Sequence, residues 1–435
     1  MKTELEKRFG ENIFAEINRE VQRKRSLRQD ADGGESGSLK TQTVTYVRAG
    51  YPAGENRFYM GQAALEGDAV DDIAAVAEAL AIARELREEG VAPETVDPST
   101  ETIVQEAARD WMELGAIREV LARVRAFLAS EGVEKVSLAG EDIAWQSETV
   151  NTCGAHTRSQ RCVLRVHIVR EGRDYLLSGD SFEEFDLREL CALMQVDDEL
   201  AACPSCPAPE SDESLPAVLM GRAMTRLLMT AWQSFEASAY LSGSTPFKGK
   251  LGERIAAPVL SLKDVPVLAC DAEGTRTSES VLVEDGVMKD LLGLRSEMAG
   301  LGLVPRGNAG RTASLVKSYS LRVVPRVLMI EEGEASVEAM IRTIKRGYVI
   351  TEAFDQFHAL DPASGVFHFP CRGVTIADGK VVGKFEEITL EGNLVELFAS
   401  VEAVAKGLYR ELLTITETFT VASPAVKVSG IHLSH

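Results

Sequence analysis

Two Asp-Gly pairs limit what this chain can fold into more than any other feature. Asp285-Gly286 lies inside "SESVLVEDGVMKDLLGL" and Asp378-Gly379 inside "CRGVTIADGKVVGKFEEITL", each between β-rich runs. Asp-Gly favours the two-residue hairpin turn, whose central residues both need positive φ. Both stretches are expected to be hairpins. Two hairpins of one form in the second half of a 435-residue chain point to a large antiparallel sheet. "SVEAMIRTIKRG" (336–347) and "NLVELFASVEAVAKGLYREL" (393–412) have helical periodicity and are expected to pack on that sheet.

The first half reads as a mixture. "MKTELEKRFGENIFAEINRE" (1–20) has the pattern of a charged amphipathic helix, without the apolar core of a secretion signal. "RSLRQDADGGESGSLK" (25–40) reads as a Gly/Ser/Asp-rich linker or long loop, and "TQTVTYVRAG" (41–50) as a strand. Residues 69–90 read as a helix capped by Gly90. A longer helix is expected over 97–132. Asp97-Pro98 suits its start, and Ile103, Ala107, Trp111, Leu114, Ile117, Leu121, Val124 and Leu128 form its stripe. From 133 strands follow, with a hairpin turn at Glu171-Gly172, then a helix over 182–196. The Pro-, Ser- and acid-rich run 197–216 reads as a boundary, and a helix over about 217–240 opens the second half. The expected class is α+β, with an α/β N-terminal half over 1–215 and a sub-boundary near 97–132. The C-terminal half, 216–435, is expected to be built on a large, mainly antiparallel sheet with packed helices.

Charge and cysteine usage bound the function. The formal net charge of −20 argues against a broad nucleic-acid surface, which needs clustered Lys and Arg. No apolar run approaches the ~20 residues that cross a bilayer. Seven cysteines, an odd number scattered along the chain, suit reduced thiols, and a cytoplasmic location is expected.

No motif announces catalysis. The histidines, His156, His167, His358, His368, His432 and His435, form neither HExxH nor HxH, and GxSxG is absent. His167 falls in a strand alternation and reads as sheet surface or core. His358 and His368 flank "ALDPASGVF" with Cys371 nearby, a metal set of unfamiliar spacing. Cys203 and Cys206 make one CxxC, with Cys191 twelve residues upstream and no fourth ligand. "GNAGR" (307–311) suits either an anion-binding turn, with Arg311 meeting a peptide carboxylate, or a loop that Arg311 merely holds.

The second half resembles the TldD/PmbA family of peptidases, once called modulators of DNA gyrase. The matching blocks run in order: "FKGKLGERIAAPVLSLKDVP" (247–266), "DAEGTRTSESVLVEDGVMKDLL" (271–292), "GNAGR", "GYVITEAF" (347–354), "DPASGVFHFPCRGVTIADGKVVGKFEEITLEGNL" (361–394) and "ASPAVKVSGIHLSH" (422–435). "SETVNTCGAHTRSQRCVLRVHIV" is similar to the family's second region, with Asn151 and Gly154 at an Asn-x-x-Gly position. The resemblance implies two kinds of subunit. The TldD kind carries HExxxH on a helix before a GxxGERxA segment and a late cysteine, which together hold zinc. The TldE/PmbA kind lacks the motif and pairs with the first around a shared cavity. Counted back from Gly249, the HExxxH positions are Leu228, Met229, Thr230, Ala231, Trp232 and Gln233, and the late cysteine is missing.

The resemblance therefore implies a non-catalytic TldE/PmbA-like subunit. It carries no cofactor of its own, and a zinc-bearing, TldD-like HExxxH partner completes the pair. Extended or unfolded peptides are the expected substrates, including leader peptides of ribosomally made peptide natural products. Arg311 and His358 are the candidate peptide contacts, and nucleic acid and membranes are not expected partners. Two alternatives stand beside this reading: a peptide-binding scaffold homodimer, and a stand-alone peptidase with its metal on His358, His368 and Cys371.

Overall fold

The computed structural model describes residues 7–9, 12–67, 71–205, 214–311, 321–355, 357–413 and 419–434. Its first half is one eight-stranded sheet with helices on one face. The elements are β1 (Phe14–Gln29), β2 (Glu35–Gly54), β3 (Arg57–Glu66), α1 (Asp72–Glu88), β4 (Glu94–Thr95), β5 (Thr102–Gln105), α2 (Leu114–Ser130), β6 (Ser137–Asn151), β7 (His156–Arg170), β8 (Arg173–Gly179) and α3 (Leu187–Ala202). The strand order is β4-β3-β2-β1-β6-β7-β5, with β8 also on β7. Every pairing is antiparallel except β5 with β7.

Helix α1 matches the expected 69–90 helix. The Asp71 carboxylate accepts from Ile73 N (3.0 Å) and Ala74 N (3.2 Å), and Gly90 follows at φ +77°. Three other expectations give way to cross-strand pairing. Phe14–Glu20 is strand rather than helix, since both faces of β1 are covered here and nearly every residue is buried. The expected linker 25–40 is the far end of the β1–β2 hairpin, paired out to Gln29↔Glu35. On its other edge β1 pairs with β6 as far as Gln29↔Leu138, and Leu27 is buried against α2, so two ladders and one apolar anchor hold this stretch. Only the second part of 97–132 is helical: Ile103 sits in β5, Ala107 and Trp111 lie in the connection, and α2 starts at Leu114 without a side-chain cap. The buried stripe Ile117, Leu121, Val124 and Leu128 holds α2 to the sheet.

The second half is built of strands with short helices: β9 (Leu215–Leu219), α4 (Gly221–Ala231), α5 (Ala237–Ser242), β10 (Leu262–Val265), β11 (Ser280–Glu284), β12 (Val287–Met288), α6 (Arg295–Gly300), β13 (Ala309–Arg311), β14 (Leu321–Val323), β15 (Val327–Ile330), α7 (Val337–Arg342), β16 (Arg346–Ala353), β17 (Val366–Ala377), β18 (Lys380–Asn393), α8 (Leu394–Ala399), β19 (Val401–Val404), β20 (Tyr409–Leu413), β21 (Phe419–Ser423) and β22 (Val426–Ser434). One six-stranded sheet runs β12-β11-β10-β15-β21-β20 and another β18-β17-β16-β9-β22-β19. In the second, β18 also pairs with β22, which closes five strands into a small barrel. Both Asp-Gly turns form, with Asp285 at φ 48°, Gly286 at φ 77°, Asp378 at φ 49° and Gly379 at φ 72°. They serve different sheets, the first closing β11–β12 and the second β17–β18. The expected 217–240 helix begins as strand β9, and the expected 393–412 helix shrinks to α8 before turning into β19 and β20. In both places β-branched residues find a sheet edge to join, which outweighs a weak helical pattern. No described helix is long and apolar enough to cross a membrane.

The two halves meet through polar groups. On β1, Ala15 and Ile17 pack toward α1, while Glu16 and Asn18 alternate to the opposite face. There Arg48 reaches Glu16 (2.8 Å) and Glu273 (3.7 Å), and the Arg311 guanidinium lies 4.8 Å from the Tyr46 ring centroid. Ser99 donates to Gly274 O (2.7 Å), Arg295 to Asp97 O (2.8 Å) and Ala269 N to Gln105 Oε1 (2.5 Å). Behind this seam two buried aspartates tie the loops. Asp271 accepts from the backbone N–H groups of Glu273 (2.9 Å), Thr275 (2.8 Å) and Ala309 (3.0 Å). Asp264 accepts from Arg326 N (2.7 Å) and Asn308 Nδ2 (3.2 Å).

Two outcomes follow from this packing. A Cβ on Gly61 of β3 would lie 1.9 Å from Ala79 O of α1, so the helix sits directly on the strand through Ala75, Ala79 and Ala83. Gly61→Ala is expected to cost about 1–3 kcal/mol, read as a lowered urea midpoint; an unchanged midpoint would contradict the close approach. Burial pushes the Asp264 carboxyl from 3.8 up to about 6, against the pull of Arg326. The folded state then holds a proton that the unfolded chain has released. Its contribution is fully present below pH 3.8 and is lost as pH rises through about 6. Between those values the wild type should lose about 2–3 kcal/mol relative to Asp264→Asn, measured by urea unfolding across pH. Parallel stability profiles for the two proteins would show that Asp264 is ionised throughout.

Candidate functional site

Helix α4 and the 3-10 turn Trp232–Phe235 that follows carry the six positions singled out in the sequence. The helix is buried along its length because it is wedged between sheets. A Cβ on its first residue, Gly221, would lie 2.5 Å from Ser423 O and 2.8 Å from Tyr409 Cβ. Leu228, Met229, Thr230, Ala231 and Trp232 are all buried, and Gln233 is partly so. The Trp232 indole N–H donates to Met229 O (3.1 Å), and its ring meets Phe419 edge-on at 6.1 Å. Hydrocarbon and an internally bonded indole fill this space. Leucine offers no lone pair, a thioether suits soft metals, and a single Gln is a weak ligand, so the side chains here do not fit zinc.

A charged cluster that no motif signalled surrounds the start of the same helix. Arg222 is 4% exposed and approaches Asp197 of α3 (3.3 Å) and Glu352 of β16 (3.6 Å), while Arg372 pairs with Glu352. The Tyr175 hydroxyl donates to Asp197 (2.7 Å), and burial together with that carboxylate pushes its phenol up to about 12, so it stays a donor. One turn on, Arg226 pairs with Glu411 (2.9 Å), whose carboxyl burial raises despite the opposing pull of the arginine. The signal available in the sequence was two arginines, Arg222 and Arg226, in an otherwise apolar helix. Their role is to join α3, α4, β16 and β20 across the two halves.

The other candidates fall apart or move inside. His358 is 81% exposed and bonds Asp355 (Nδ1–Oδ1 2.8 Å). His368 is 61% exposed and lies 3.9 Å from Glu391. Cys371 is wholly buried, its thiol pushed up to about 12 by burial. His368 and Cys371 are three residues apart on β17, so the pleat sends them to opposite faces. The proposed metal set His358, His368 and Cys371 is therefore not assembled. Cys203 donates to Glu199 O (3.4 Å) beyond the end of α3, and its CxxC mate Cys206 lies outside the described residues, as does His435. Among the described residues no three His, Cys, Asp or Glu side chains cluster as metal ligands. Arg311 is buried in strand β13 at the seam with Tyr46, rather than in an open turn. His167 pairs with Asp174 (3.0 Å) on the sheet surface. The Asn-x-x-Gly position is the β6–β7 turn: Asn151 Oδ1 accepts from Cys153 N and Ala155 N, its amide donates to Ser99 O, and Gly154 takes φ +104°.

Comparison with known proteins agrees with this architecture. Over 179 residues the chain is 31% identical to a metalloprotease of Methanothermobacter thermautotrophicus, covering 39% of this chain and 37% of that protein. Over 180 residues it is 26% identical to a zinc metalloprotease TldD homolog of Saccharolobus solfataricus, covering 39% of each. The matched stretch thus spans under two fifths of either relative's length. The fold of TldE from Thermococcus kodakarensis superposes with a TM-score of 0.73 at 18% identity, over 97% of both chains. The PmbA/TldA metallopeptidase C-terminal domain matches residues 212–435, just over half of the chain. This chain belongs to the PmbA/TldD family of metallopeptidases.

Proposed function

We propose that the chain is the non-catalytic, TldE/PmbA-like subunit of a two-subunit zinc metalloprotease of the TldD/TldE type. It acts in the cytoplasm on extended or unfolded peptides, and removal of leader peptides from ribosomally made peptide natural products is one such task. The observation that carries this reading is the filled space at α4, where Leu228, Met229 and Gln233 occupy the HExxxH positions and Trp232 packs on Phe419. Zinc, the polarised water and the acid-base group belong to a TldD-like partner bearing HExxxH, so no step of hydrolysis is assigned to this chain. Its contribution is a rigid wall to a shared cavity. Of the two candidate peptide contacts, His358 is the accessible one, while Arg311 supports the seam from within.

Purified alone, the chain is expected to bind no zinc tightly and to leave an unfolded test peptide intact. Mixed with the HExxxH-bearing subunit, it should form a heteromer on size exclusion, with about one zinc per pair, and cleavage should appear. His358→Ala is expected to raise KM with kcat little changed, as loss of a binding contact does. Cleavage by the isolated chain, together with about one bound zinc, would overturn the proposal. A stable homodimer that gains no activity from the partner would favour the peptide-binding scaffold instead.

A further inference from the structure

The edge of the N-terminal sheet has an opening. β5 pairs with β7 only up to Gln105↔Ser159, and β8 pairs with it only from Leu164↔Gly179. Gln160–Val163 of β7 therefore have no strand partner on that side. The connection from β5 to α2 passes here, and its residues from Glu106 to Trp111 help enclose a cleft of about 250 Å³. The floor comes from Val21 and Arg23 of β1, residues 144–146 of β6 and residues 160–162 of β7.

The charges in this cleft are not all spoken for. Arg109 is held by Asp142 (2.6 Å) and Arg161 by Asp180 (2.7 Å). Arg25 lies 4.0 Å from the Trp111 ring centroid and is paired with Glu113 (2.8 Å). Arg23, 5.7 Å from the same ring, makes no ion pair among the described residues. The Trp111 Nε1–H is shielded from water and meets no acceptor among them. At the other end, the parallel register that sets Gln105 beside Ser159 sets Glu106 beside Gln160. Neither Glu106 nor Asp110 makes an ion pair among the described residues, and both are exposed. Arg23 and β7 are two strand spacings apart, roughly 10 Å. The cleft thus has an unpaired arginine at its β1 end, carboxylates at its β7 end, one indole beside it and an unpaired strand edge.

We propose that this cleft binds short peptides with free termini, about two to four residues long, which span roughly 7–14 Å when extended. The carboxylate end meets Arg23, and the ammonium end meets Glu106 and Asp110. Trp111 covers the peptide between them. The proposal stands apart from the peptidase reading, because every residue in it lies outside the stretch matched by the C-terminal domain.

The test is titration of the full chain with trialanine, followed by calorimetry and tryptophan fluorescence, with Trp111 as the indole in the cleft. Saturable binding is expected, with N-acetyl-trialanine amide weaker by about tenfold or more. Arg23→Ala and Glu106→Gln, both at exposed positions, should each weaken trialanine by about tenfold with an unchanged urea midpoint. No saturable signal with trialanine, equal affinity for the blocked peptide, or unchanged affinity in both variants would overturn the proposal.

Discussion

A carboxylate removed from water must be met by cations or by N–H groups, and the seam between the two halves is organised around that demand. Arg48 stands between Glu16 and Glu273, and Asp271 gathers three backbone N–H groups, two from its own loop and one from β13. Glu273 is itself pushed up to about 7 by burial, although Arg48 draws it down. Such contacts are directional. A greasy interface lets two surfaces slide by an ångström, whereas this one fixes the N-terminal sheet in a single register against residues 269–275 and β13. The cost is desolvation of several charges, and the gain is position rather than net stability.

What the sequence made legible follows from where the information sits. Asp285-Gly286, Asp378-Gly379 and Glu171-Gly172 are local chemistry, and all three turns form as expected. Helix α1 carries its own cap and its own stripe. The far end of the β1–β2 hairpin carries neither. Ser36, Gly37 and Ser38 look like linker, and only the ladder to β1 makes them strand. Gly221–Ala231 and Leu394–Ala399 kept their helical character, but their neighbours were drawn into sheets by partners far away in the chain.

The site was legible by resemblance rather than by composition. Leu228, Met229, Trp232 and Gln233 gain meaning only when set against a motif that is missing. The Arg222 cluster escaped notice because its members, Asp197, Glu352, Tyr175 and Tyr409, are scattered over more than 200 residues and converge only through packing. The two features share one helix. Its first turn is charged and links the halves, and its last turn is hydrocarbon and fills the space beside Phe419. A helix pinned so firmly at its start makes a fixed surface at its end.

The five-strand closure has a consequence for the order of events during synthesis. β9 needs β22 as a neighbour, and β22 emerges about 210 residues later. Until then β9 has only β16 beside it, and one edge of the nascent barrel stays open to water and to other chains. The N-terminal sheet, by contrast, is complete once β8 has left the ribosome. One half of this protein is thus ready to act as a solid support while the other is still unfinished, and the polar seam gives the late-forming half a template on which to settle.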